Sequence, residues 1–322
     1  MRVVCLPMRV KFRGIKMREV ALFEGPSGWT EWSPFLEYEA DEAGAWLAAA
    51  IEFGWGETPK LLRTSVGINA TLAAVAPEQI TDALGKFGDF NTVKIKVAEP
   101  SASGTSGISG IEADLARIRA VRELYPGVRI RIDANGGFSV EQALALAKEL
   151  AIDGIDLDYF EQPVRTIAEL AELRVKLSRI GMRVAADESV RKVSDPMAVV
   201  HANAADVLVL KAQPLGGIQS ALRIIDEARM PVTISSALET SIGISMGLHL
   251  AAAHELANHD AGLGTVALLD EDICDEPLIA EQGELQVRRV SPSEARLQKF
   301  AAGEDRRQWW LQRLRDCYLR PL

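Results

Sequence analysis

Between residues 93 and 211, five short apolar runs each close on charge: VKIKV (93–97), RIRIDAN (129–135), LDYFEQP (157–163), RVAADES (183–189) and DVLVLKAQ (206–213). The charged residues are Lys94 and Lys96, then Asp133, Glu161, Asp187 and Lys211. From Asp133 to Glu161 to Asp187 to Lys211 the steps are 28, 26 and 24 residues. That interval holds one strand, one loop and one covering helix. Three carboxylates without a neighbouring His or Cys form a hard oxygen set, which suits magnesium or a similar cation better than zinc. Lys94 and Lys96 are two apart, so both point to one face of a strand. Facing outward they would lie under helices, where buried ammonium groups are costly, so the inward face is expected. Lys211 ends the run VLVL, where a core has no use for a charge. A lysine beside a cation and a second ammonium sheds its proton more readily, as a general base must. Carboxylates around a cation, with lysines on either side, suit removal of a proton next to a substrate carboxylate. The cation would stabilise the resulting enediolate.

The elements that must position these groups are visible around them. Residues 1–38 alternate apolar and polar around the turn GPSGW and predict a small antiparallel sheet. Residues 39–54 begin acidic, continue alanine-rich and end on glycine, predicting a helix. From Ser65 the rhythm becomes strand–helix. SVGINATL (65–72) is the first expected strand, VKIKV the second, and a helix over 111–125 follows with apolar Ile111, Leu115, Ile118, Val121 and Leu124. Capping boxes at Ser139–Gln142 and Thr166–Glu169 open two more helices. PVTISSAL (231–238) and AGLGTVALL (261–269) complete about eight strands. Such alternation fits an open sheet or a closed barrel. Only a closed ring brings the ends of many successive strands to one place. The reading is therefore an α/β protein, a modified (β/α)8 TIM-like barrel. An α+β capping domain would occupy residues 1–62, the barrel 63–270, and a C-terminal segment 271–322 would pack back on the cap. The Ser/Gly-rich stretch 98–110 is expected as a loop at the barrel mouth.

Composition narrows the partners. A net charge of −9 and a pI near 5.2 argue against nucleic acid. Three scattered cysteines, Cys5, Cys274 and Cys317, imply no disulfide framework and fit the cytoplasm. The apolar stretch 244–257 contains His249, His254 and Glu255 and is too short to span a bilayer, so it reads as a buried barrel helix. A small-molecule carboxylate is the expected partner, with no membrane or nucleic acid.

KIK (94–96), DAN (133–135), EQP (161–163), ADES (186–189) and KAQPLGGI (211–218) agree in type, order and spacing with a known pattern. The chain resembles the enolase superfamily, in the muconate-lactonising subgroup with lysines on the second and sixth barrel strands. The resemblance implies that Asp133, Glu161 and Asp187 bind Mg2+, with Mn2+ as a substitute. It implies that Lys96 and Lys211 face each other across the substrate and that Lys94 assists at its carboxylate. Asn135 and Glu188 would support the ligands. Less specific likenesses are GWTEWSPFLEYEADEAGAWLAAAIE (28–52), SSALETSIG (235–243, with Ser235 and Ser236) and Arg131, two before Asp133. They imply a carbon–oxygen lyase of menaquinone biosynthesis, dehydrating a cyclic carboxylate, with Arg131 near the substrate and residues 25–32 capping it. The alternative is an N-acylamino acid racemase or dipeptide epimerase of the same superfamily, using Lys96 and Lys211 as two bases.

Other motifs read more plainly. His254 and His259 are five apart, not the four that would put them on one helix face. Gly216-Gly217 reads as a turn into a helix, Asp270 and Asp272 as solvated turn acids, and Trp309-Trp310 as a dock for the tail on the cap.

Overall fold

A computed structural model describes residues 1–12, 14–99, 108–191 and 195–319. Strands β1 (Arg2–Phe12), β2 (Ile15–Gly25) and β3 (Gly28–Trp32) form an antiparallel sheet in the order β1-β2-β3. Helix α1 (Ala40–Trp55) packs on it, burying Ala43, Trp46, Leu47, Ala50 and Phe53. Short β4 (Ser65–Gly67) leads into the barrel strands: β5 (Ala70–Leu72), β6 (Thr92–Lys96), β7 (Arg129–Asp133), β8 (Leu157–Glu161), β9 (Val184–Ala186), β10 (Val207–Leu210) and β11 (Val232–Ile234). All seven barrel strands are parallel, in the order β11-β10-β9-β8-β7-β6-β5. The covering helices are α2 (Ile80–Gly85), α3 (Ile108–Leu124), α4 (Val140–Ile152), α5 (Ile167–Ser178), short α6 (Glu188–Arg191) and α7 (Ala198–His201), α8 (Ile218–Ala228) and α9 (Ser241–Ala253). Strand β12 (Glu284–Gln286) and helices α10 (Glu294–Lys299) and α11 (Glu304–Tyr318) complete the chain.

Both expected capping boxes form: the Ser139 and Thr166 hydroxyls accept from the Gln142 and Glu169 amides, and those side chains accept from the Ser139 and Thr166 amides. The stretch 244–257 supplies most of α9, and nearly every residue of that helix is buried.

Two expected strands come out differently. SVGINATL is two elements: β4 turns away to pair antiparallel with β12, and only Ala70–Leu72 joins the barrel. AGLGTVALL does not form a strand. Ala261 bridges Ile68 and Gly262 bridges Ser235, which joins the two edges of the seven-stranded sheet, and a 3-10 turn follows at Thr265–Leu268. The cause is close approach: a Cβ on Gly262 would stand 2.6 Å from Ser235 Oγ, and one on Gly264 would stand 2.9 Å from Ile68 Cγ2. Much of the expected loop at 98–110 lies outside the described residues.

Strand alternation separates two cores. Ile95, Ile132, Phe160, Leu208 and Leu210 join the main apolar core, while Tyr159, Ala185, Val207 and Val209 form a separate buried cluster. That second cluster shares strand parity with Glu161, Asp187 and Lys211, so it fills the ring interior beneath the charged strand ends. The C-terminal segment returns to the N-terminal sheet. Trp310 is fully buried, meets Trp32 edge-on at 5.2 Å and donates from Nε1 to Glu19 at 2.8 Å. Helix α1 is pinned to the barrel by Glu52, whose carboxylate accepts from the Ile218 amide at 2.7 Å and the Gln219 amide at 3.2 Å, capping α8. The Gly216-Gly217 turn thus receives a carboxylate from the chain itself.

Candidate active site

The register of β6, β7 and β8 aligns Lys96, Asp133 and Glu161 side by side at the strand ends. Asp187 follows the last residue of β9 and Lys211 the last residue of β10. These ends converge on a pocket lined by Lys94, Lys96, Asp133, Asn135, Glu188 and Lys211 among others.

Every charge at the pocket floor has an opposite neighbour. Lys96 Nζ lies 2.5 Å from Asp133 Oδ2 and also donates to Asn135 Oδ1. Lys211 Nζ lies 2.5 Å from Asp187 Oδ2. Lys94 Nζ reaches both Glu161 oxygens at 3.0 Å and Asp133 at 3.6 Å. Asn135 donates from its amide to Asp133 Oδ1 and from Nδ2 to Glu188 Oε1, tying Glu188 to the rim. Gln162, at φ +35°, accepts from the Asp187 and Ser189 amides and so fixes the backbone below Asp187.

Burial sets the electrostatics. It opposes a charge on Lys94, but Glu161 and Asp133 outweigh it and hold that ammonium above its ordinary range. Lys94 is thereby a fixed cation and donor. Burial also opposes charge on Asp133, yet Lys96 and Lys94 keep its carboxyl below the usual value. Glu161 is pushed up to about 7 by burial and by the neighbouring Asp133 and Asp187, against the pull of Lys94.

Among the described residues, no three acidic, His or Cys side chains converge in the manner of a formed cation site. Asp133, Glu161 and Asp187 are nevertheless the residues that could hold one. They end three adjacent strands and offer oxygen only, and burial, with a smaller part from the repulsion of Asp133 and Asp187, raises Glu161, a cost that a divalent cation would relieve.

The remaining predicted residues divide. Ser235 and Ser236 line the pocket, with Ser236 Oγ donating to the Gly262 carbonyl at 2.6 Å. Arg131 is not brought to the pocket. Its guanidinium is completely buried in the ring interior, with Nε 2.8 Å from Asp158 Oδ2, Nη1 bonded to Asn69 Oδ1 and the Asp260 carbonyl, and its carbon 4.7 Å from the Tyr159 ring. It builds the barrel floor. The cap contributes Phe35 and Trp46 to the pocket rather than residues 25–32. The turn at 25–28 packs against α1 through the Ser27 amide and Gly54 carbonyl, while Glu31 and Trp32 are buried behind it. Asp272 is also buried, accepting from the Ser241 and Cys274 amides, instead of lying in a solvated turn. Thr71, Pro214, Ala237, Leu238 and Thr265 complete the wall. Phe35 and Trp46 flank the acidic start of α1, but their aim depends on how the cap docks, which local pattern does not encode.

A sequence-family model described as enolase N-terminal domain-like matches residues 3–57, and one described as enolase C-terminal domain-like matches residues 73–292. Cap, barrel and strand-end charges together are those of an enolase-like protein. The o-succinylbenzoate synthase of Mycobacterium ulcerans is 50% identical over 318 residues, covering 99% of this chain and 93% of that protein. That of Mycobacterium tuberculosis is 49% identical, covering 98% and 93%. The chain belongs to the o-succinylbenzoate synthase family of enolase-like proteins. Its fold also matches muconate lactonizing enzyme from Pseudomonas fluorescens, with TM-score 0.76 and 20% identity over 94% of this chain and 97% of that one. The L-Ala-D/L-Glu epimerase of Bacillus subtilis matches with TM-score 0.74 and 19% identity over 90% and 95%.

Proposed function

We propose that this chain dehydrates 2-succinyl-6-hydroxy-2,4-cyclohexadiene-1-carboxylate to o-succinylbenzoate with Mg2+, as a step of menaquinone biosynthesis. The observation that carries the reading is the placement of Lys96 and Lys211 at one pocket from strands β6 and β10, which three other strands separate. A substrate between them meets an amine on each face.

Asp133, Glu161 and Asp187 would hold the cation, which when bound stabilises the charge that develops on the substrate carboxylate. Lys94, held cationic, donates to that carboxylate. Lys96, in its neutral form, takes the proton α to the ring carboxylate. The same ammonium then returns a proton to the departing 6-hydroxyl on the same face, so water leaves and the ring becomes aromatic. Lys211 keeps its charge on the opposite face and stabilises the anionic intermediate. Asn135 holds Lys96 and Glu188 in place through its amide group. Phe35, Trp46 and Leu238 exclude water from the reacting face.

Asp133 and Glu188 are the acids lining the pocket, while Asp272 is engaged beneath α9. That lining offers little to the free ammonium of a dipeptide and favours the dehydratase over the epimerase. A cytoplasmic setting is part of this reading, because three cysteines as scattered as Cys5, Cys274 and Cys317 suit a reducing compartment. No helix among the described residues is long and apolar enough to cross a membrane.

The direct test follows the aromatic product by absorbance, with parallel measurement of deuterium exchange into N-acylamino acids and dipeptides. Product formation that EDTA abolishes and Mg2+ restores is expected. Turnover in metal-stripped enzyme, or exchange without dehydration, would overturn the proposal.

A further inference from the structure

A buried network unrelated to the proton transfers joins the cap to the far wall of the pocket. At its centre is Arg18 of β2, 2% exposed. Its Nε donates to the Leu238 carbonyl at 3.0 Å, and Nη2 donates to the Ala237 carbonyl at 3.2 Å and to the Ser33 carbonyl. Its guanidinium carbon lies 4.7 Å from the Phe35 ring centroid. Phe35 is part of the cap's wall of the pocket, and Ala237 and Leu238 are part of the barrel's. One side chain therefore grips both walls.

The segment it grips is under conformational tension. Leu238 has φ +64°, a left-handed backbone unusual for a branched side chain and costly by about 1–3 kcal/mol. The amides around it are held as firmly as the carbonyls. Glu239 accepts from the Ala237 amide at 2.5 Å. Glu31, from β3, accepts from the Thr240 amide and hydroxyl and from the Gly243 amide at the start of α9. Ser33 closes the circuit, its hydroxyl donating to Glu31 and its amide to Gln213, two residues beyond Lys211.

We infer that Arg18 is a positioning residue for substrate binding, holding Ala237–Leu238 and Phe35 at the separation that the ring and its side arm require. It touches no reacting atom. Its planar fork serves three carbonyls from two domains at once, which a lysine's single ammonium cannot do in the same geometry. The inference deepens the dehydratase reading and rests on it for the choice of substrate.

The experiment compares Arg18→Met and Arg18→Lys with Glu52→Gln, which weakens a cap–barrel tie whose own partners, Ile218 and Gln219, do not line the pocket. Steady-state kinetics on the cyclohexadiene substrate are paired with amide hydrogen exchange over residues 237–243. Arg18→Met is expected to raise KM about tenfold or more with kcat within about threefold, and to speed exchange at Thr240 and Gly243. Arg18→Lys should fall between it and wild type, and Glu52→Gln should change neither quantity. If Arg18→Met does not fold, the same comparison is made with Arg18→Lys, whose wild-type KM would overturn the assignment. An unchanged KM or unchanged exchange in Arg18→Met, or an equal KM rise in Glu52→Gln, would overturn it too. Failure of the wild-type enzyme to dehydrate the substrate counts against the functional reading instead, and the exchange data then decide the role of Arg18.

Discussion

Lys94 and Arg131 are register partners on adjacent strands, yet their charges leave the same layer of the barrel in opposite directions. Lys94 rises to Glu161 and Asp133 at the pocket, whereas Arg131 turns to Asp158 and the Asp260 carbonyl. The upper cation faces the pocket and the lower one the barrel interior. The two cannot exchange roles, because each carboxylate partner is buried at its own end of the ring.

That division predicts the outcome of Arg131→Met. Removing one partner of a buried pair leaves the other charge uncompensated, at a cost of about 3–5 kcal/mol. Asp158 keeps its contact with the half-exposed Arg183, so the lower end of that range is expected. The melting temperature should fall by several degrees while kcat, measured below the transition, stays within a few fold. A selective loss of kcat with normal stability would return Arg131 to the substrate site.

The legible and illegible parts of the site differ for a physical reason. Asp133, Glu161, Asp187 and Lys211 end apolar runs, where a charge has no packing role, so type and position alone mark them. Parity also puts Arg131 and Asp133 on one face of β7. It does not say toward which end of the ring a long side chain reaches, and Asn69, Asp158 and Asp260, which decide this, come from three distant segments. The missing eighth strand has a similar origin. AGLGTVALL alternates well enough, but Gly262 and Gly264 are there for close approach to Ser235 and Ile68, not for a ladder. Phe35, Trp46 and the Arg18 network depend on cap docking and leave no local pattern.

The proposed roles of the two amines separate under charge-preserving substitution. Arginine stays protonated and cannot act as a base. Lys96→Arg should therefore be as inactive as Lys96→Ala, with kcat down about 10²–10⁴-fold. Lys211→Arg keeps a cation near Asp187 and should retain at least about tenfold more activity than Lys211→Ala. Single-turnover rates on the purified variants decide the matter. Equal losses in Lys211→Arg and Lys211→Ala would mean that Lys211 moves a proton.

Glu31 gives the fold a pH dependence of known sign. Burial and the nearby Glu239 push its carboxyl up to about 7 from an ordinary 4.5, despite hydrogen bonds from Ser33 and Thr240. Below about 4.5 the group is protonated in both folded and unfolded chains. Between that value and about 7 only the folded chain holds the proton, so the stability contribution is present at low pH and lost as pH rises through 7. The full difference is at most about 3 kcal/mol. In Glu31→Gln the amide can donate to Ser33 as the protonated acid would, so this variant should gain stability relative to wild type between pH 5 and pH 8. Urea midpoints at the two pH values measure this, and a pH-independent difference between the proteins would refute it.

Glu52 and Gly217 form the joint by which α1 holds α8, and they make a paired prediction. Gly217 has φ +123°, and a Cβ there would stand 2.5 Å from Glu52 Oε2. Gly217→Ala thus meets both a backbone penalty and a clash, and should cost about 2–4 kcal/mol. Glu52→Ala loses a charged cap on the first turn of α8, worth about 1–2 kcal/mol. Removing Glu52 also removes the obstacle to the new methyl group. The double variant should therefore be less destabilised than the sum of the singles, leaving mainly the backbone cost and the lost cap. Chemical denaturation of all four proteins gives the coupling directly. Strict additivity would show that the alanine methyl never meets Glu52, and that the tightness of the cap–barrel joint at this point is not what requires glycine.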